Sequence, residues 1–147
     1  MAKRILVPID GRDEADALVD LIADAAQSGA VVRLLHVAPA AEVVRDIDGR
    51  VLAYVDQETA RLERQAHAML AVAAARFGGA TLEQVVRFGD PVTEILLESD
   101  AFGADLIAMA ARRPYRLAQF VLGTTADQVC RRTDVPVVIM RPAPARP

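Results

Sequence analysis

The sequence predicts an α/β protein with a parallel five-stranded sheet and helices on both faces. Short apolar runs rich in valine, isoleucine and leucine alternate with amphipathic segments along the 147 residues. The runs are nearly continuous in hydrophobicity, which is typical of strands that are buried on both faces. Because strands and helices alternate throughout, parallel pairing with right-handed crossovers is the expected connection.

The first half of the chain contains two of the predicted strands. The first covers residues 4–9 and is followed by Asp10, and the second covers 30–37. Between them lies a predicted helix that begins with acidic residues, as the helix dipole favours, and ends at Gly29. Its inward face is formed by Ala15, Leu18, Val19, Ile22 and Ala26.

A long amphipathic helix follows the second strand after a segment without a clear period. Residues 38–50 contain Pro39 and an Asp-Gly pair, and we expect an irregular loop there in which single helical turns can form. The helix is predicted over 52–77, where Gly78 and the next glycine stop it. Its apolar stripe comprises Val55, Thr59, Leu62, Ala66, Met69, Leu70, Ala73 and Phe77.

The second half repeats the alternation with three further strands, predicted over 81–88, 106–109 and 135–140. Asp90 is placed to cap a helix whose first residue is Pro91, where the missing N–H costs nothing. That helix ends at Gly103, and the last helix begins near Thr124. The inward positions of these two helices are Val92, Ile95, Leu96, Ser99, Ala126, Val129 and Cys130.

Composition excludes several classes of protein. Although 53% of the residues are hydrophobic, no apolar run reaches the roughly eighteen residues that a membrane helix needs. The start of the chain lacks the pattern of a signal peptide and a single cysteine cannot form an internal disulfide, so a cytoplasmic protein is expected. The length predicts one domain over 1–142, and the proline-rich residues 143–147 are expected to form a flexible tail.

The charge distribution is uneven along the chain. Residues 1–111 hold 10 basic and 18 acidic side chains, whereas residues 112–147 hold 7 basic and 2 acidic ones. Clustered arginines can attract phosphate, but they are more often a solvated face. The net charge of −3, the absence of tryptophan and the scarcity of other aromatic residues argue against a dedicated nucleic-acid binder.

Candidate ligand-binding residues follow the predicted strands. In sheets of this kind, ligands bind beyond the carboxyl ends of the strands, where the strand order reverses. Asp10 follows the first strand and can accept hydrogen bonds from a ribose hydroxyl or an adenine amine. The backbone of Val37, at the end of the second strand, can meet the edge of a base. An alternative role for Asp10 is to cap the first helix.

A phosphate-binding position is predicted after the fourth strand. Met109 ends that strand, and a loop of about thirteen residues, 110–122, leads to Gly123, Thr124 and Thr125. These three residues begin a helix whose first amides have no intrahelical partners, and the helix dipole also favours an anion there.

Five segments, taken in order, resemble the universal stress protein family over nearly the whole chain. They are Ile-Leu-Val-Pro-Ile-Asp-Gly, Leu-Leu-His-Val, Gly-Asp-Pro, Ala-Asp-Leu-Ile-Ala-Met and Val-Pro-Val-Val-Ile-Met-Arg. The resemblance implies a Rossmann-like, adenine nucleotide alpha hydrolase-like fold with strand order 3-2-1-4-5. It also implies frequent homodimers built by pairing the fifth strands, and roles in surviving stress, starvation or low oxygen.

One branch of that family binds ATP through Gly-x-x-Gly, nine residues, and then Gly-Ser or Gly-Thr, and this sequence departs from that motif. Ala110 and Arg113 stand at the positions of the first two glycines, while Gly123 and Thr124 match its end. A left-handed alanine costs roughly 1–2 kcal/mol, so the loop is expected to take another path. Arg113 places a long side chain where a phosphate would approach the backbone, and Pro114 lacks an N–H.

Two functional hypotheses follow from this departure. If two charge-assisted contacts of ~1.5–3 kcal/mol each are lost, the affinity for ATP falls by about a hundredfold or more. The first hypothesis is a non-catalytic stress-response domain that binds ATP weakly or not at all and acts through dimerisation and contacts with partner proteins. The second is an ATP-binding stress sensor in which Arg112, Arg113 and Arg116 donate to the phosphates.

An enzyme is the third and least supported possibility. His36 and His67 have no evident nucleophile or metal partner, and His36 is expected to be a packed or hydrogen-bonded residue at a strand end. No Gly-x-Ser-x-Gly, Walker lysine loop or metal-ligand cluster appears, so no catalytic or metal-binding residue is predicted. A phosphoacceptor receiver would need a second acid after the third strand and a lysine after the fifth, where this chain has Arg141.

Dimerisation is predicted from the fifth strand. An apolar edge strand leaves backbone groups unpaired, and antiparallel pairing across a two-fold axis would cover it. The residues expected at this interface are Val137, Val138, Ile139 and Met140.

Overall fold

Within the residues that the structure describes, the chain forms seven strands and four helices. The computed structural model describes residues 2–10, 16–78, 82–110 and 124–140. The strands are β1 (Arg4–Pro8), β2 (Val31–Ala38), β3 (Val44–Arg45), β4 (Val51–Ala53), β5 (Glu83–Phe88), β6 (Leu106–Ala110) and β7 (Val137–Met140). The helices are α1 (Asp16–Gln27), α2 (Val55–Arg76), α3 (Pro91–Phe102) and α4 (Thr124–Arg132).

Five of the strands form one parallel sheet in the order β5-β2-β1-β6-β7. Numbered among themselves, these five strands have the order 3-2-1-4-5, so the expected architecture is confirmed. The central strand β1 pairs with β2 from Arg4↔Val31 to Pro8↔Leu35 and with β6 at Ile5↔Leu106 and Leu6↔Ile107.

The sheet separates two hydrophobic cores. Successive residues of a strand point to opposite faces, so Ile5 and Val7 belong to one core and Leu6 to the other. α1 and α2 cover the first face with Leu18, Ile22, Leu70 and Ala74. α3 and α4 cover the second face with Val92, Ile95, Phe102, Ala126 and Val129.

The ends of α3 have the predicted caps. The Asp90 carboxylate accepts a hydrogen bond from the amide of Thr93 at 3.0 Å, and Pro91 is the first helical residue. At the other end Gly103 has φ 68° and ψ 46°, a left-handed conformation that glycine adopts without a steric penalty.

The expectation of an irregular loop over 38–50 was wrong in part, because β3 lies there and pairs with β4 as an antiparallel hairpin. The predicted start of the long helix at residue 52 was also wrong, because β4 covers Val51–Ala53 and α2 begins at Val55. The turn depends on Asp46, whose carboxylate accepts hydrogen bonds from the amides of Asp48 and Arg50 at 2.9 and 2.8 Å. Such side-chain turns are typical of aspartate. Strands of two and three residues are too short to show a period in the sequence.

Two predicted inward positions are exposed. Cys130 was expected in the core, but it is exposed because it lies one residue beyond the buried Val129 and so points about 100° away around α4. Val55, at the first turn of α2, is also exposed, and Glu58 is the buried residue there. The guanidinium of Arg61 binds both carboxylate oxygens of Glu58, which compensates its burial and lowers the pKa of that carboxyl.

Several expectations lie outside the described residues, namely the flexible tail over 143–147 and the path of the loop after Ala110. No helix within the described ranges is both long and apolar enough to cross a bilayer.

Candidate functional site

The fold places the candidate site at the carboxyl edge of the sheet, between β1 and β6. These two strands are neighbours in the sheet. The helix α1, which follows β1, packs on one face of the sheet, whereas α3 and α4, which precede and follow β6, pack on the other face. The connections therefore diverge at this point, which is where ligands bind in open α/β sheets.

Asp10 lies two residues beyond the end of β1 and is exposed. Its position depends on the preceding residue, because the amide of Ile9 donates to the carbonyl of Leu35 at 2.8 Å. The Nδ1 atom of His36 lies 3.0 Å from the carbonyl oxygen of Ile9. The prediction that His36 is hydrogen-bonded is therefore confirmed, although β2 continues beyond it to Ala38. Asp10 follows Ile9, whose amide and carbonyl groups are both hydrogen-bonded.

The described part of α1 begins at Asp16, six residues after Asp10. The alternative role of Asp10 as a helix cap depends on residues between them, which lie outside the described ranges.

The backbone of Val37 is directed toward the side of β2 on which β1 lies. The amide of Val31 donates to Lys3 and the carbonyl of Leu35 accepts from Ile9, while the carbonyl of Ala38 accepts from Gly89 on the opposite side. Because this direction alternates along a strand, Val37 points to the same side as Val31 and Leu35. The pairing of β1 with β2 ends at Pro8↔Leu35, so Val37 lies beyond it.

Met109 has a buried side chain that belongs to the core under α3 and α4. Any contact that it makes with a ligand at the edge would therefore come from its backbone. The next residue, Ala110, is the last residue of β6 and pairs with Met140. Ala110 therefore continues the strand.

α4 begins at Thr124, as predicted, and it runs from the carboxyl edge back toward the start of β7. Thr125 is half-buried in its first turn. The same turn contains Asp127, whose carboxylate lies 3.2 Å from the guanidinium of Arg131. A carboxylate already complements the helix dipole there, which weakens the attraction of this end for a phosphate.

The other predicted site residues, Arg113 and Gly123, lie outside the described residues. The structure thus brings Asp10, Val37, Met109 and the start of α4 to one edge of the sheet. The start of α4 is a helix N-terminus, and the side chain of Met109 belongs to the hydrophobic core.

A cluster of arginine and glutamate side chains was not predicted from the sequence. Glu98 on α3 is only 4% exposed, and its two oxygens accept from Arg33 on β2 at 2.8 Å and from Arg87 on β5 at 2.7 Å. Each arginine also binds a second carboxylate, that of Glu83 at 2.7 Å and that of Glu94 at 2.8 Å, respectively. We call these five residues the arginine–glutamate cluster.

The cluster ties two strands to a helix. Burial lowers the pKa of Arg33, but its hydrogen bonds to Glu83 and Glu98 outweigh that effect and raise it. Hydrogen bonds to Glu94 and then Glu98 raise the pKa of Arg87. The guanidinium of Arg33 also lies 4.1 Å from the centre of the Phe102 ring. Both oxygens of Glu98 accept from an arginine, so this buried carboxylate joins the strands to the helix and is not a free acid or base.

The sequence carried one signal for the cluster. Arg33 and Arg87 each interrupt an otherwise apolar stretch of a strand, and Glu98 lies three residues after the inward Ile95. An arginine inside a buried strand requires a partner, although the sequence does not indicate which one. No group of three or more histidine, cysteine, aspartate or glutamate side chains that could hold a metal ion occurs among the described residues.

Comparison with solved structures supports the fold. The hypothetical protein MJ0577, whose biochemical function was assigned from its structure, matches with a TM-score of 0.77 and 22% identity over 99% of each chain. A universal stress protein in complex with cAMP matches with a TM-score of 0.64 and 20% identity over 97% of this chain and 98% of that one. The universal stress protein from Archaeoglobus fulgidus in complex with dAMP gives 0.63 and 19% over 93% and 96%.

No curated protein matches the chain by sequence. The universal stress protein family model, in contrast, matches residues 1–141, which is nearly the whole length. The match agrees with the five motif segments and with the strand order of the sheet. This chain belongs to the universal stress protein family.

Proposed function

We propose that this chain is a non-catalytic stress-response domain that binds the adenosine part of a nucleotide weakly and the triphosphate part poorly. We also propose that it forms a homodimer and acts through contacts with partner proteins. The observation that carries the nucleotide part is the common position of Asp10, Val37 and the start of α4 at the carboxyl edge, where β1 and β6 diverge.

The adenosine half of the candidate site has suitable donors and acceptors. The backbone of Val37 offers one N–H and one C=O beyond the last pair with β1, and adenine has a donor beside an acceptor on its edge. The exposed carboxylate of Asp10 can accept from a ribose hydroxyl. Two proteins of the same fold have been crystallised with cAMP and dAMP, each of which has an adenine base, a sugar and a single phosphate.

The triphosphate half is less suitable. Ala110 continues β6 in place of a motif glycine, and Asp127 brings a carboxylate into the first turn of α4. Arg113 stands at the position of the second glycine. These features together favour weak binding of the β- and γ-phosphates.

The alternative function is an ATP-binding stress sensor with an arginine-modified phosphate loop. Its support is the basic character of residues 112–147, in particular Arg112, Arg113 and Arg116. Guanidinium groups pair with phosphate oxygens in a bidentate manner, and such pairs could replace the lost backbone contacts.

The homodimer part of the proposal is supported by β7. This strand pairs with β6 on one side and is the last strand of the described sheet. Its four residues, Val137, Val138, Ile139 and Met140, are all partly exposed apolar side chains. Pairing with a second copy would cover both the apolar surface and the free backbone edge.

The exposed thiol of Cys130 would stay reduced in the cytoplasm, which is the location that we propose.

Titration of the purified protein with a fluorescent adenine nucleotide tests the nucleotide part. We expect weak, saturable binding that is lost in Asp10→Ala and retained in Asp105→Ala, an acid at the opposite edge of the sheet. Tight ATP binding that survives Asp10→Ala would contradict the proposal, and phosphate release above background would contradict its non-catalytic part.

A further inference from the structure

The hydrogen-bond ladder between β1 and β2 ends in an irregular way. The amide of Ile9 donates to the carbonyl of Leu35 at 2.8 Å. In a regular parallel ladder, the next bond would run from the amide of Val37 to the carbonyl of Ile9. Instead, the carbonyl oxygen of Ile9 faces the imidazole Nδ1 of His36 at 3.0 Å.

The chemistry of this contact fixes the position of one hydrogen atom. A carbonyl oxygen can only accept, so Nδ1 must carry the hydrogen and donate it to Ile9. The imidazole thus occupies the acceptor that the next amide of β2 would otherwise use. Among the described residues, the amide of Val37 has no partner on the β1 side.

The same contact orients the peptide that leads into Asp10. The carbonyl carbon of Ile9 and the nitrogen of Asp10 belong to one planar peptide group. A donor that holds the Ile9 carbonyl therefore also sets the direction in which the Asp10 residue leaves β1.

We propose that His36 is a positioning residue for the nucleotide site: its side chain ends the ladder after Leu35, keeps the Val37 backbone available to a base, and orients Asp10. This inference rests on the proposed binding of adenosine at the carboxyl edge. His36 itself does not contact the ligand.

Two substitutions separate the donated hydrogen bond from mere packing. His36→Leu removes the donor and keeps an apolar side chain of moderate size. His36→Asn places an amide nitrogen the same number of bonds from the backbone as Nδ1, so it can restore the bond to Ile9. His67→Leu, on the exposed face of α2, is the matched control because it changes a histidine outside the site.

Amide hydrogen exchange followed by NMR gives a readout that does not depend on ligand. In wild type we expect rapid exchange at Val37 and a hydrogen on Nδ1 of His36. In His36→Leu the Ile9 carbonyl has lost its partner and can accept from Val37, so exchange at Val37 should slow by about tenfold. His36→Asn and His67→Leu should exchange at Val37 as the wild type does.

Titration with AMP of the same four proteins gives the second readout. We expect His36→Leu to weaken binding by about tenfold and His36→Asn to restore most of it. A wild type that binds no AMP would defeat the proposed function, while the exchange rates would still decide the role of His36. Equal exchange at Val37 in wild type and His36→Leu, or a hydrogen found only on Nε2, would overturn the inference.

Discussion

At the scale of single residues, Asp90 fixes the start of α3. Its carboxylate accepts from the amide of Thr93 at 3.0 Å and from the hydroxyl of the same residue at 2.9 Å. We expect Asp90→Ala to lower the Tm by roughly 3 °C, the usual effect of losing a helix cap in a domain of this size. Thermal unfolding by circular dichroism measures this.

The matched control is Asp100→Ala, an exposed acid near the other end of the same helix. A carboxylate there opposes the helix dipole, so its removal should leave the Tm unchanged or slightly higher. Equal losses in the two variants would show that Asp90 does not act as a cap.

The same cap predicts a dependence of stability on pH. The amide and then the hydroxyl of Thr93 hold the pKa of Asp90 below its ordinary value. A carboxyl with a depressed folded pKa contributes stability above its unfolded pKa, which is about 4, and loses it as the pH falls through the folded value. Asp90→Asn keeps an acceptor oxygen but does not titrate.

Urea unfolding of wild type and Asp90→Asn across the acid range measures that contribution. We expect the difference between their free energies of unfolding to be constant above about pH 5 and to shift against the wild type in stronger acid. A difference that stays constant as far into acid as both proteins remain folded would contradict the assignment.

At the scale of elements, the arginine–glutamate cluster joins β2 and β5 to α3. Glu98→Ala would leave Arg33 and Arg87 without their shared buried acceptor. The side chains of these arginines are 23% and 29% exposed, so water can relieve part of the cost, and we expect the free energy of unfolding to fall by about 2–4 kcal/mol. Urea denaturation measures this change.

Glu83→Ala is the control within the same cluster. The Glu83 side chain is 45% exposed, and exposed ion pairs contribute only about 0–1 kcal/mol. Similar losses in the Glu83 and Glu98 variants would mean that the buried position of Glu98 has no special importance.

The sequence predicted the elements of the main sheet well because each of its strands is a short apolar run between clear turn residues. It failed at β3 and β4, whose two and three residues are stabilised by the turn at Asp46 and not by any periodic pattern. It also missed the partner of Arg33, since Glu98 is 65 residues away and only the packing of α3 on the sheet brings them together.

For the candidate site, strand ends could be located from the sequence, so Asp10 and Val37 were placed at the same edge. The sequence could not show that the imidazole of His36 binds the carbonyl of Ile9, because this depends on the register of β1 and β2. For the same reason it could not show that the side chain of Met109 belongs to the core.

At the scale of the whole molecule, the proposed dimer depends on β7. We expect Val138→Lys to shift the protein toward monomer in sedimentation velocity, because a charge would have to be buried at the strand pair. Val72→Lys, on the exposed surface of α2, should leave the dimer unchanged. A Val138→Lys protein that is still dimeric would place the interface elsewhere.

Isothermal titration with AMP and with ATP compares the adenosine half of the candidate site with its triphosphate half most directly. A site that binds adenosine but does not contact the β- and γ-phosphates should bind AMP and ATP with similar affinity. We expect the two dissociation constants to agree within about threefold, or about 0.7 kcal/mol. ATP binding that is a hundredfold tighter than AMP binding would contradict the account and favour the arginine-modified sensor.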